Sequence, residues 1–280
     1  MINLSFTKMT GAGNDFVVID NREHVIHDDL EKFARRVSDR RFGVGSDGLL
    51  LLEPSSHADF LMRYFNADGS IGAMCGNGGR CIAKFAHNLG IVPEEMKFEA
   101  VGFVYRASVR KDTVRLSMKN PTRIESMTLQ IDGKDLKAFY VDTGAPHVVL
   151  FSDELGIPLD EVDVDSIGRM VRWHEKFQPY GTNVNVVQLL TDNRIYNRTF
   201  ERGVEGETLA CGTGSVATAL VVAAKAGLTS PVDVQTKSGQ MLVVDFKSSK
   251  GTFIDVVLQG DARVTFVGQL KYDDSEKALV

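Results

Sequence analysis

The sequence is poor in cysteine. Three cysteines occur among 280 residues, no two of them form a C-x-x-C pair, and the six histidines are scattered along the chain. An odd and low number of cysteines argues against a disulfide framework and favours a reducing compartment. A zinc site would need more closely spaced ligands. We therefore expect a protein that holds no metal ion.

Basic charge and long apolar runs are lacking as well. The chain has 32 Lys and Arg against 37 Asp and Glu, a formal net charge of −5 and a pI near 5.7, so no basic field attracts nucleic acid or anionic lipid. Its most apolar run, Val216–Ala224, is far shorter than the roughly 20 residues of a membrane span. Met1–Thr10 has one Lys and no apolar core, unlike a secretory signal. We expect a cytoplasmic protein with no nucleic-acid or membrane partner.

What the chain does contain is a near repeat of itself. The segment CGNG at 75–78 in the first half matches CGTG at 211–214 in the second half. Three further pairs of segments resemble each other in the same order and at nearly the same offset: 11–20 with 143–151, 42–52 with 180–190, and 63–69 with 198–203. Four matches in one order predict a duplicated unit and two similar domains.

Each half has the same predicted order of elements. In the first half an early helix begins at Asp28 in a D-x-x-E pattern and ends at Gly43, and its counterpart in the second half is 165–176. A second helix follows each cysteine motif and is stopped by Gly90 or by Gly227. Strand-like segments joined by short turns follow these second helices. The helix after Cys211 is apolar nearly all round, so it must be enclosed, and we predict an α/β fold with a sheet wrapped around each central helix.

The two cysteines that precede these helices are the candidate catalytic groups. A helix N-terminus has N–H groups without partners inside the helix and carries a partial positive charge. Such an end attracts a carboxylate or a phosphate and lowers the pKa of a thiol placed there. The glycines after each cysteine let a ligand approach the backbone closely. The alternative is that each cysteine is a small buried apolar residue, as most unpaired cysteines are, but two cysteines at matching positions of a repeat favour a shared function.

Two thiols, one from each domain, suit inversion of a carbon atom next to a carboxylate. A thiolate on one side removes the α-proton, and a thiol on the other side returns a proton to the opposite face. The N–H groups of the two helix starts stabilise the negative charge that the carboxylate gains in the transition state. Cys81, inside the first of these helices, is expected to be a core residue without a catalytic role.

Four stretches of the sequence resemble motifs of the diaminopimelate epimerase family, in the order in which that family has them. The resemblance covers essentially the whole chain, and it implies a cofactor-independent isomerase that epimerises LL-diaminopimelate to meso-diaminopimelate in lysine and peptidoglycan-precursor synthesis. Proline racemase and the phenazine-synthesis isomerases share the fold of this family, but CGNG and GNDF favour the epimerase. The four stretches are FTKMTGAGNDFVVID at 6–20, RYFNADGSIGAMCGNGGRC at 63–81, TGAPHVV at 143–149 and TFERGVEGETLACGTGS at 199–215.

The resemblance also implies an architecture. Members have two similar α/β domains, each a strand-rich barrel around a central helix, with the active site in the cleft between the domains. The last strand, here 262–270, returns to the first domain, so the expected domains are 1–120 with 264–280, and 121–263. Members are often homodimers, and a homodimer is therefore expected here.

Residue roles follow from the same resemblance. Cys75 and Cys211 correspond to the acid–base pair, and His147 and Glu201 to groups that tune the pKa values of these thiols. The remaining matched residues would bind the substrate: the backbone N–H groups of Gly76, Asn77, Gly212 and Thr213 the reacting carboxylate, Asn14, Asn66 and Asn183 its polar groups, Arg202 the distal carboxylate and Glu201 the distal ammonium. Without the resemblance, Asn14 and Asn66 could merely shape turns, Glu201 and Arg202 could form a surface ion pair, and His147 could be an ordinary loop histidine.

Two positions depart from the pattern of the family. Many members have Asn where this chain has Ala145, and some have Gln where it has Gly48. Each departure removes one expected side-chain contact with the substrate. Both leave the cysteines untouched, so they concern how the substrate is held more than which reaction occurs.

Other classes of protein remain as alternatives. The segment 43–48 is a literal G-x-G-x-x-G, but a predicted helix precedes it and a predicted strand follows it, the reverse of a dinucleotide-binding turn. A thiol redox protein would use Cys75 and Cys211 as a disulfide pair. A non-catalytic amino-acid-binding protein would use the same helix starts, and a proline-racemase-like enzyme the same thiols on another amino acid. Pyridoxal phosphate is not needed, because two thiols supply both protons.

Overall fold

The computed structural model describes residues 2–26, 29–191, 193–249, 251–273 and 278–279. It has a mixed α/β fold that is rich in strands and has few helices, as the sequence predicts. The backbone divides into two compact units: residues 1–116 with 260–280, and residues 117–259. None of the helices in the described ranges is long and apolar enough to cross a membrane.

The strands and helices are named here in chain order. The strands are β1 (Ile2–Gly11), β2 (Asn14–Asp20), β3 (Gly48–Glu53), β4 (Phe60–Asn66), β5 (Glu95–Ala100), β6 (Phe103–Arg110), β7 (Thr113–Ser117), β8 (Glu125–Ile131), β9 (Lys134–Asp142), β10 (Pro146–Phe151), β11 (Asn183–Thr191), β12 (Arg194–Glu201), β13 (Gly206–Thr208), β14 (Val232–Thr236), β15 (Met241–Ser249), β16 (Thr252–Asp261), β17 (Arg263–Asp273) and β18 (Ala278–Leu279). The α-helices are α1 (Leu30–Ser38), α2 (Gly76–Asn88), α3 (Ser152–Leu155), α4 (Val164–Arg172) and α5 (Gly212–Ala226), and Leu159–Glu161 and Glu175–Phe177 are single 3₁₀ turns.

Strand pairing repeats from one unit to the other. In the first unit the order is β17–β1–β2–β3–β4–β5–β6–β7, and in the second it is β8–β9–β10–β11–β12–β14–β15–β16. In both orders the third and fifth pairings are parallel and the others are antiparallel. A parallel pair needs a long crossover, usually a helix, and α2 and α5 are the crossovers of the fifth pairing in their units. The duplication predicted from the sequence is therefore present in the topology.

The apolar runs of β2 and β3 face helices on both sides. Val17 and Ile19 of β2, together with Leu49 and Leu51 of β3, belong to one buried cluster that includes residues of α1. The same two strands also contact α2. Strands covered on both faces have continuous apolar sequences rather than alternating ones, which accounts for the run Leu49–Leu52.

The two central helices lie inside their sheets. Helix α5 packs against β9, β10, β11, β12, β14 and β15, and all its residues from Gly212 to Ala223 are buried. Helix α2 packs against β1, β2, β3, β4 and β6. The prediction that the apolar helix after Cys211 must be enclosed is confirmed. A site at the start of either helix is thus held by most strands of its unit.

The early helix of the first unit is shorter than the sequence suggests. Asp28 lies outside the described residues, and α1 ends at Ser38, so the prediction that Gly43 ends it is wrong. Asp39 leaves the helical conformation with φ −61° and ψ 125°. Its carboxylate accepts hydrogen bonds from the N–H groups of Arg41 and Phe42, at 2.7 and 2.8 Å. This Asx-type turn competes with further helix.

Its counterpart in the second unit also ends early. The predicted helix 165–176 corresponds to α4, which begins at Val164 and stops at Arg172. His174 is extended, with φ −60° and ψ 140°, and its ring accepts a hydrogen bond from the N–H of Lys176. The side chain of His174 thus starts a separate 3₁₀ turn rather than continuing the helix.

Close packing between α4 and β12 gives a test of the fold. A Cβ atom at Gly168 would lie 2.4 Å from Cβ of Phe200. Alanine is favoured over glycine in a helix by about 1 kcal/mol, whereas overpacking costs about 1–3 kcal/mol. We expect Gly168→Ala to lower the free energy of unfolding by up to about 2 kcal/mol in urea denaturation. Ser166→Ala, on the exposed side of α4, should change it by less than about 0.5 kcal/mol; a Gly168→Ala protein more stable than the parent would contradict the packing.

Candidate active site

Both cysteines of the repeated motifs cap a helix with their sulfur atoms. Cys75 precedes α2 with φ −103° and ψ 118°, and Cys211 precedes α5 with φ −115° and ψ 116°. The N–H of Gly78 donates to Sγ of Cys75 at 3.4 Å, and the N–H of Gly214 donates to Sγ of Cys211 at 3.4 Å. This is the position and the hydrogen bond of an N-capping residue, with sulfur in place of oxygen. The central helices of the two units therefore begin with the same sulfur cap.

The first turn after each sulfur supplies backbone donors. Gly76 and Asn77 begin α2, and Gly212 and Thr213 begin α5. The N–H groups of a first turn have no acceptor within the helix, and the partial positive charge of that end favours an anion. Each unit thus places an ionisable thiol beside a backbone surface suited to a carboxylate.

The three thiols differ in burial. Cys75 is half-buried, Cys211 is 7% exposed and Cys81 is fully buried. Burial raises the pKa of the Cys81 thiol, and the positive charge of Arg80, which lowers that pKa, offsets only part of the rise. The expectation that Cys81 is a core residue is confirmed.

A chain of polar side chains supports the start of α2. Arg80 donates to Oδ1 of Asn77 at 2.9 Å, Asn77 donates through Nδ2 to Oδ1 of Asn14, and Asn14 donates through Nδ2 to Asp47 at 3.1 Å. Arginine can only donate and a carboxylate can only accept. The two ends of the chain therefore fix which way both amide groups point.

Asp47, at the acceptor end of this chain, belongs to a cluster of charges. Arg40 bonds both Asp47, at 2.8 Å, and Asp15, at 2.7 Å, and Lys8 lies 2.6 Å from Asp15. Burial by itself raises the pKa of Asp15, but the hydrogen bonds and charges of Arg40 and Lys8 outweigh it and lower that pKa to about 2. The cluster holds the start of β2, and with it Asn14, in place.

Asn66 lies where β4 ends and the chain turns towards Cys75. Its amide donates to Oγ of Ser70 at 2.9 Å, and its backbone N–H donates to the carbonyl of Ser70. Asn66 therefore shapes this turn, and a contact with substrate stays a prediction for it.

A different polar chain supports Cys211. Nε2 of His147 lies 2.9 Å from Oγ1 of Thr213, which lies 3.5 Å from Sγ of Cys211. Asn185 donates to Nδ1 of His147 at 3.0 Å, because its own oxygen already accepts a hydrogen bond from Thr199. This assigns the ring proton to Nε2, so His147 donates to Thr213 and the hydroxyl proton of Thr213 is directed at the sulfur. His147 reaches Cys211 through Thr213.

His147 is held in its neutral form. The side chain is fully buried, and this burial, helped by the positive charge of Arg202, lowers the pKa of His147 from 6.5 to about 3. Desolvation disfavours the charged form of a buried imidazole. At neutral pH the ring is a donor of fixed direction rather than a cation.

Gly214 leaves room for this arrangement. A Cβ atom at this position would lie 2.4 Å from Oδ1 of Asn185 and 3.2 Å from Sγ of Cys211. Contacts below 3.0 Å do not occur for real side chains without a shift of the neighbour. The second glycine of the CGTG motif is therefore required for the approach of Asn185 as well as for the sulfur cap.

Asn183, Glu201 and Arg202 come together where β11 and β12 pair. The N–H of Arg202 donates to Oδ1 of Asn183 at 2.9 Å, and Nδ2 of Asn183 donates to the carbonyl of Pro146 at 2.9 Å. Glu201 accepts a hydrogen bond from the hydroxyl of Thr208. Asn183 thus ties the segment before His147 to the Glu201–Arg202 pair.

A pocket of about 570 Å³ opens beside Arg202 in the second unit. Its wall combines aromatic rings with charges of both signs, from Glu125, Tyr140, Asp142, Lys176, Phe177 and Tyr180. Such a mixture suits the polar end of a small molecule.

The structure gives a reason for one of the two departures from the family. A Cβ atom at Gly48 would lie 2.4 Å from the carbonyl oxygen of Phe65 and 2.6 Å from the ring of Tyr64, so this backbone admits no side chain there. Ala145 is half-buried, and its carbonyl accepts a hydrogen bond from the N–H of Thr143.

Two residues of the site are not found by sequence reasoning. The sequence does contain a signal for Asn185. It lies two residues after Asn183 on β11, and residues two apart lie on the same face of a strand. Arg80 reads as an ordinary helix residue, and its burial becomes visible only when β1 and β16 are placed beside α2. Among the described residues, no group of three or more His, Cys, Asp or Glu could hold a metal ion.

The chain is similar to known proteins over most of its length. The sequence model of the family described as diaminopimelate epimerase matches residues 6–124 and 139–265. Diaminopimelate epimerase of Aquifex aeolicus (strain VF5) is 41% identical over 280 residues, covering 95% of this chain and 98% of the relative. The enzyme of the same name from Chlorobaculum tepidum is 43% identical over 269 residues, covering 94% of this chain and 99% of the relative.

Solved structures extend the likeness of the fold. A probable proline racemase from Agrobacterium radiobacter K84 superposes with a TM-score of 0.72, covering 96% of this chain and 93% of its own at 16% identity. At that identity the likeness shows the fold alone. The family match and the relatives show more: this chain belongs to the diaminopimelate epimerase family and is an isomerase.

Proposed function

We propose that this protein interconverts LL- and meso-diaminopimelate by moving a proton across the α-carbon between Cys75 and Cys211, without a cofactor. The observation that carries the proposal is the repeated sulfur cap: the same thiol, in the same hydrogen bond, begins the central helix of each unit. A residue that served only packing would not need a matching partner in the second unit. The choice of diaminopimelate as substrate is inferred from the relatives, which are named diaminopimelate epimerase.

The reaction balances with one thiolate, one thiol and no other reagent. A thiolate takes the α-proton, so the C–H bond breaks, an S–H bond forms, and the electron pair passes from the α-carbon towards the carboxylate. The second thiol then gives its proton to the opposite face of that carbon and becomes the thiolate. The N–H groups of Gly76, Asn77, Gly212 and Thr213 stabilise the charge on the carboxylate, which is largest in the transition state. The two cysteines end the turnover with their protonation states exchanged.

Substrate recognition is assigned to residues around this centre. Arg202 would pair with the distal carboxylate through its two-pronged guanidinium, and Glu201 would accept the distal ammonium. The pocket beside Arg202 has the size and the mixed charge for such a group. Asn14, Asn66 and Asn183 would complete the polar contacts. Proline has no distal carboxylate or ammonium, so these two residues favour diaminopimelate over a proline-racemase-like substrate.

Organisation and location complete the proposal. We take 1–120 with 264–280, and 121–263, as the two functional domains, each supplying one thiol. A homodimer is proposed because the family implies one, and because Val264, Phe266 and Val267 of β17 each expose an apolar side chain, at 45%, 46% and 69% of their surface, that a partner would cover. A cytoplasmic location is proposed because proton transfer needs both thiols reduced.

Replacing either capping cysteine should abolish epimerisation. We expect Cys75→Ala and Cys211→Ala each to lower kcat by at least about 10²-fold, because proton transfer by a positioned group contributes roughly 10²–10⁴-fold. The measurement is conversion of LL- to meso-diaminopimelate, with solvent deuterium followed into the α-position by mass spectrometry. Cys81→Ala is the matched control and should keep parental turnover.

Near-parental epimerisation by either variant would overturn the two-thiol mechanism. Binding of diaminopimelate without deuterium incorporation by the parent protein would instead identify an amino-acid-binding protein. Racemisation of L-proline in preference to diaminopimelate would identify the alternative enzyme.

Thr213 is expected to connect His147 to Cys211. Thr213→Val removes the hydroxyl that is directed at the sulfur and should lower kcat by about tenfold or more, as the loss of a donor at a developing charge does. Thr213→Ser keeps the hydroxyl and should restore most of the rate. Equal activity of the valine and serine variants would exclude this connection.

The neutral state of His147 predicts how stability depends on pH. Since its pKa is lowered from 6.5 to about 3, the unfolded chain binds a proton below pH 6.5 that the folded chain does not, so stability is complete above pH 6.5 and falls as the pH falls towards 3. Between pH 7.5 and pH 5.0 His147 should cost about 2 kcal/mol. We expect His147→Gln to show a smaller loss of stability than the parent over that range in urea denaturation. An equal loss in the two proteins would mean that His147 is charged in the folded state.

A further inference from the structure

Arg80 is a charged residue inside the core of the first unit. It lies on α2, five residues after Cys75, and none of its surface is exposed. Within the described part of the chain, its hydrogen bonds go to neutral oxygens: the carbonyls of Gly76 and Asp261, each at 3.3 Å, and the amide oxygen of Asn77 at 2.9 Å. A guanidinium keeps its proton in proteins. The first unit therefore contains a permanent positive charge whose hydrogen bonds do not neutralise it.

Three ionisable groups lie near enough to this charge to interact with it electrostatically. The guanidinium interacts with Cys81, Asp261 and Cys75. Asp261 is already shared, because its carboxylate pairs with Arg263 at 3.0 Å and accepts from the N–H of Ala12 at 2.9 Å.

The two thiols that face Arg80 are not equivalent. Cys81 is fully buried and its pKa is raised by that burial, so it stays a neutral thiol at neutral pH. Cys75 is half-buried and caps the helix whose positive end adds to the effect of Arg80. A buried cation is costly unless an anion balances it. The carboxylate of Asp261 is one anion near Arg80, and Cys75 can supply a second by losing its proton.

We infer that Arg80 is a positioning residue for the reaction: its buried charge favours the thiolate form of Cys75, and its hydrogen bond to Asn77 sets the direction of the amide chain that ends at Asp47. The inference rests on the proposed function, because a thiolate at Cys75 matters only if Cys75 transfers a proton. It adds a residue that makes no contact with the substrate and acts through the thiol.

The second unit lacks this charge. The position that corresponds to Arg80 in the repeat, five residues after Cys211, is Val216, which is fully buried in α5. The side chains that form the hydrogen-bonded chain to Cys211, His147 and Thr213, are neutral. The two thiols are alike in backbone geometry and unlike in electrostatics, so the resting enzyme holds its thiolate on Cys75 and its proton on Cys211.

Thiol alkylation tests the inference without any turnover. Iodoacetamide reacts with the thiolate, so the alkylation rate of each cysteine, followed by peptide mass spectrometry from pH 5 to 10, gives the pH at which half of that thiol is ionised. In the parent protein we expect this midpoint to be lower for Cys75 than for Cys211. Arg80→Met should raise the midpoint of Cys75 by about one pH unit or more, the effect of one nearby charge, and leave that of Cys211 unchanged. Arg80→Lys should keep the midpoint of Cys75 close to its parental value. Lys84→Met, which removes a half-buried cation one turn further along α2, should change neither midpoint.

The results separate this inference from the proposed function. If Arg80→Met leaves the midpoint of Cys75 unchanged, or if the parent midpoint of Cys75 is not below that of Cys211, the inference is wrong even where epimerisation is intact. If Arg80→Met does not fold, the comparison of the two cysteines in the parent and the profile of Arg80→Lys decide. Absence of epimerisation by the parent protein, with the alkylation profiles as expected, would count against the proposed function alone.

Discussion

The hydrogen bond from a helix N–H to a cysteine sulfur is the constraint on which the rest of the site depends. It fixes Cys75 and Cys211 at the N-cap of a helix, where the backbone itself supplies the donors and the partial positive charge that a carboxylate and a thiolate both require. To hold that position, each helix is buried among the strands of its own sheet. Each unit thus positions one sulfur atom. Its position depends on the order of strand pairing and on the glycines of the motif, and in the second unit also on the apolar surface of α5.

Duplication explains why the two units have the same backbone arrangement, and divergence explains why the side chains around their two cysteines differ. The residue after the first glycine is Asn77 in one unit and Thr213 in the other. Asn77 accepts a hydrogen bond from Arg80, whereas Thr213 is hydrogen-bonded to His147. Arg80 brings a charge to the first helix start, whereas His147 brings an oriented but neutral donor to the second. A pair of acid–base groups must differ in protonation at any moment, since two thiolates or two thiols cannot transfer a proton in one direction. In the proposed mechanism, the unequal surroundings of the two thiols provide that difference.

The sequence predicts the features that depend on patterns within one segment. The repeat, the two helices after the cysteines and the enclosure of the apolar helix all follow from spacing and composition, and the structure confirms them. The end of α1 is missed because the carboxylate of Asp39 captures two N–H groups, a local competition that the apolar pattern does not reveal. Arg80 and Asn185 are missed for another reason, because their roles depend on contacts between distant parts of the sequence. Arg80 bonds Asp261, which is 181 residues further along the chain, and Asn185 bonds His147 on a neighbouring strand. Burial of a polar side chain is a tertiary property, and a single sequence carries little signal for it.

The sulfur cap of α2 has a consequence for the chemical lifetime of the chain. Asn77 is followed by Gly78, and an asparagine–glycine pair is the sequence most prone to deamidation, in which the glycine nitrogen attacks the side-chain carbonyl and closes a succinimide ring. Here that nitrogen donates its proton to Sγ of Cys75, and the side-chain amide is bonded at both ends, to Arg80 and to Asn14. The nitrogen and the carbonyl carbon are thereby held apart, so the hydrogen bonds at the start of α2 also protect this peptide bond from deamidation.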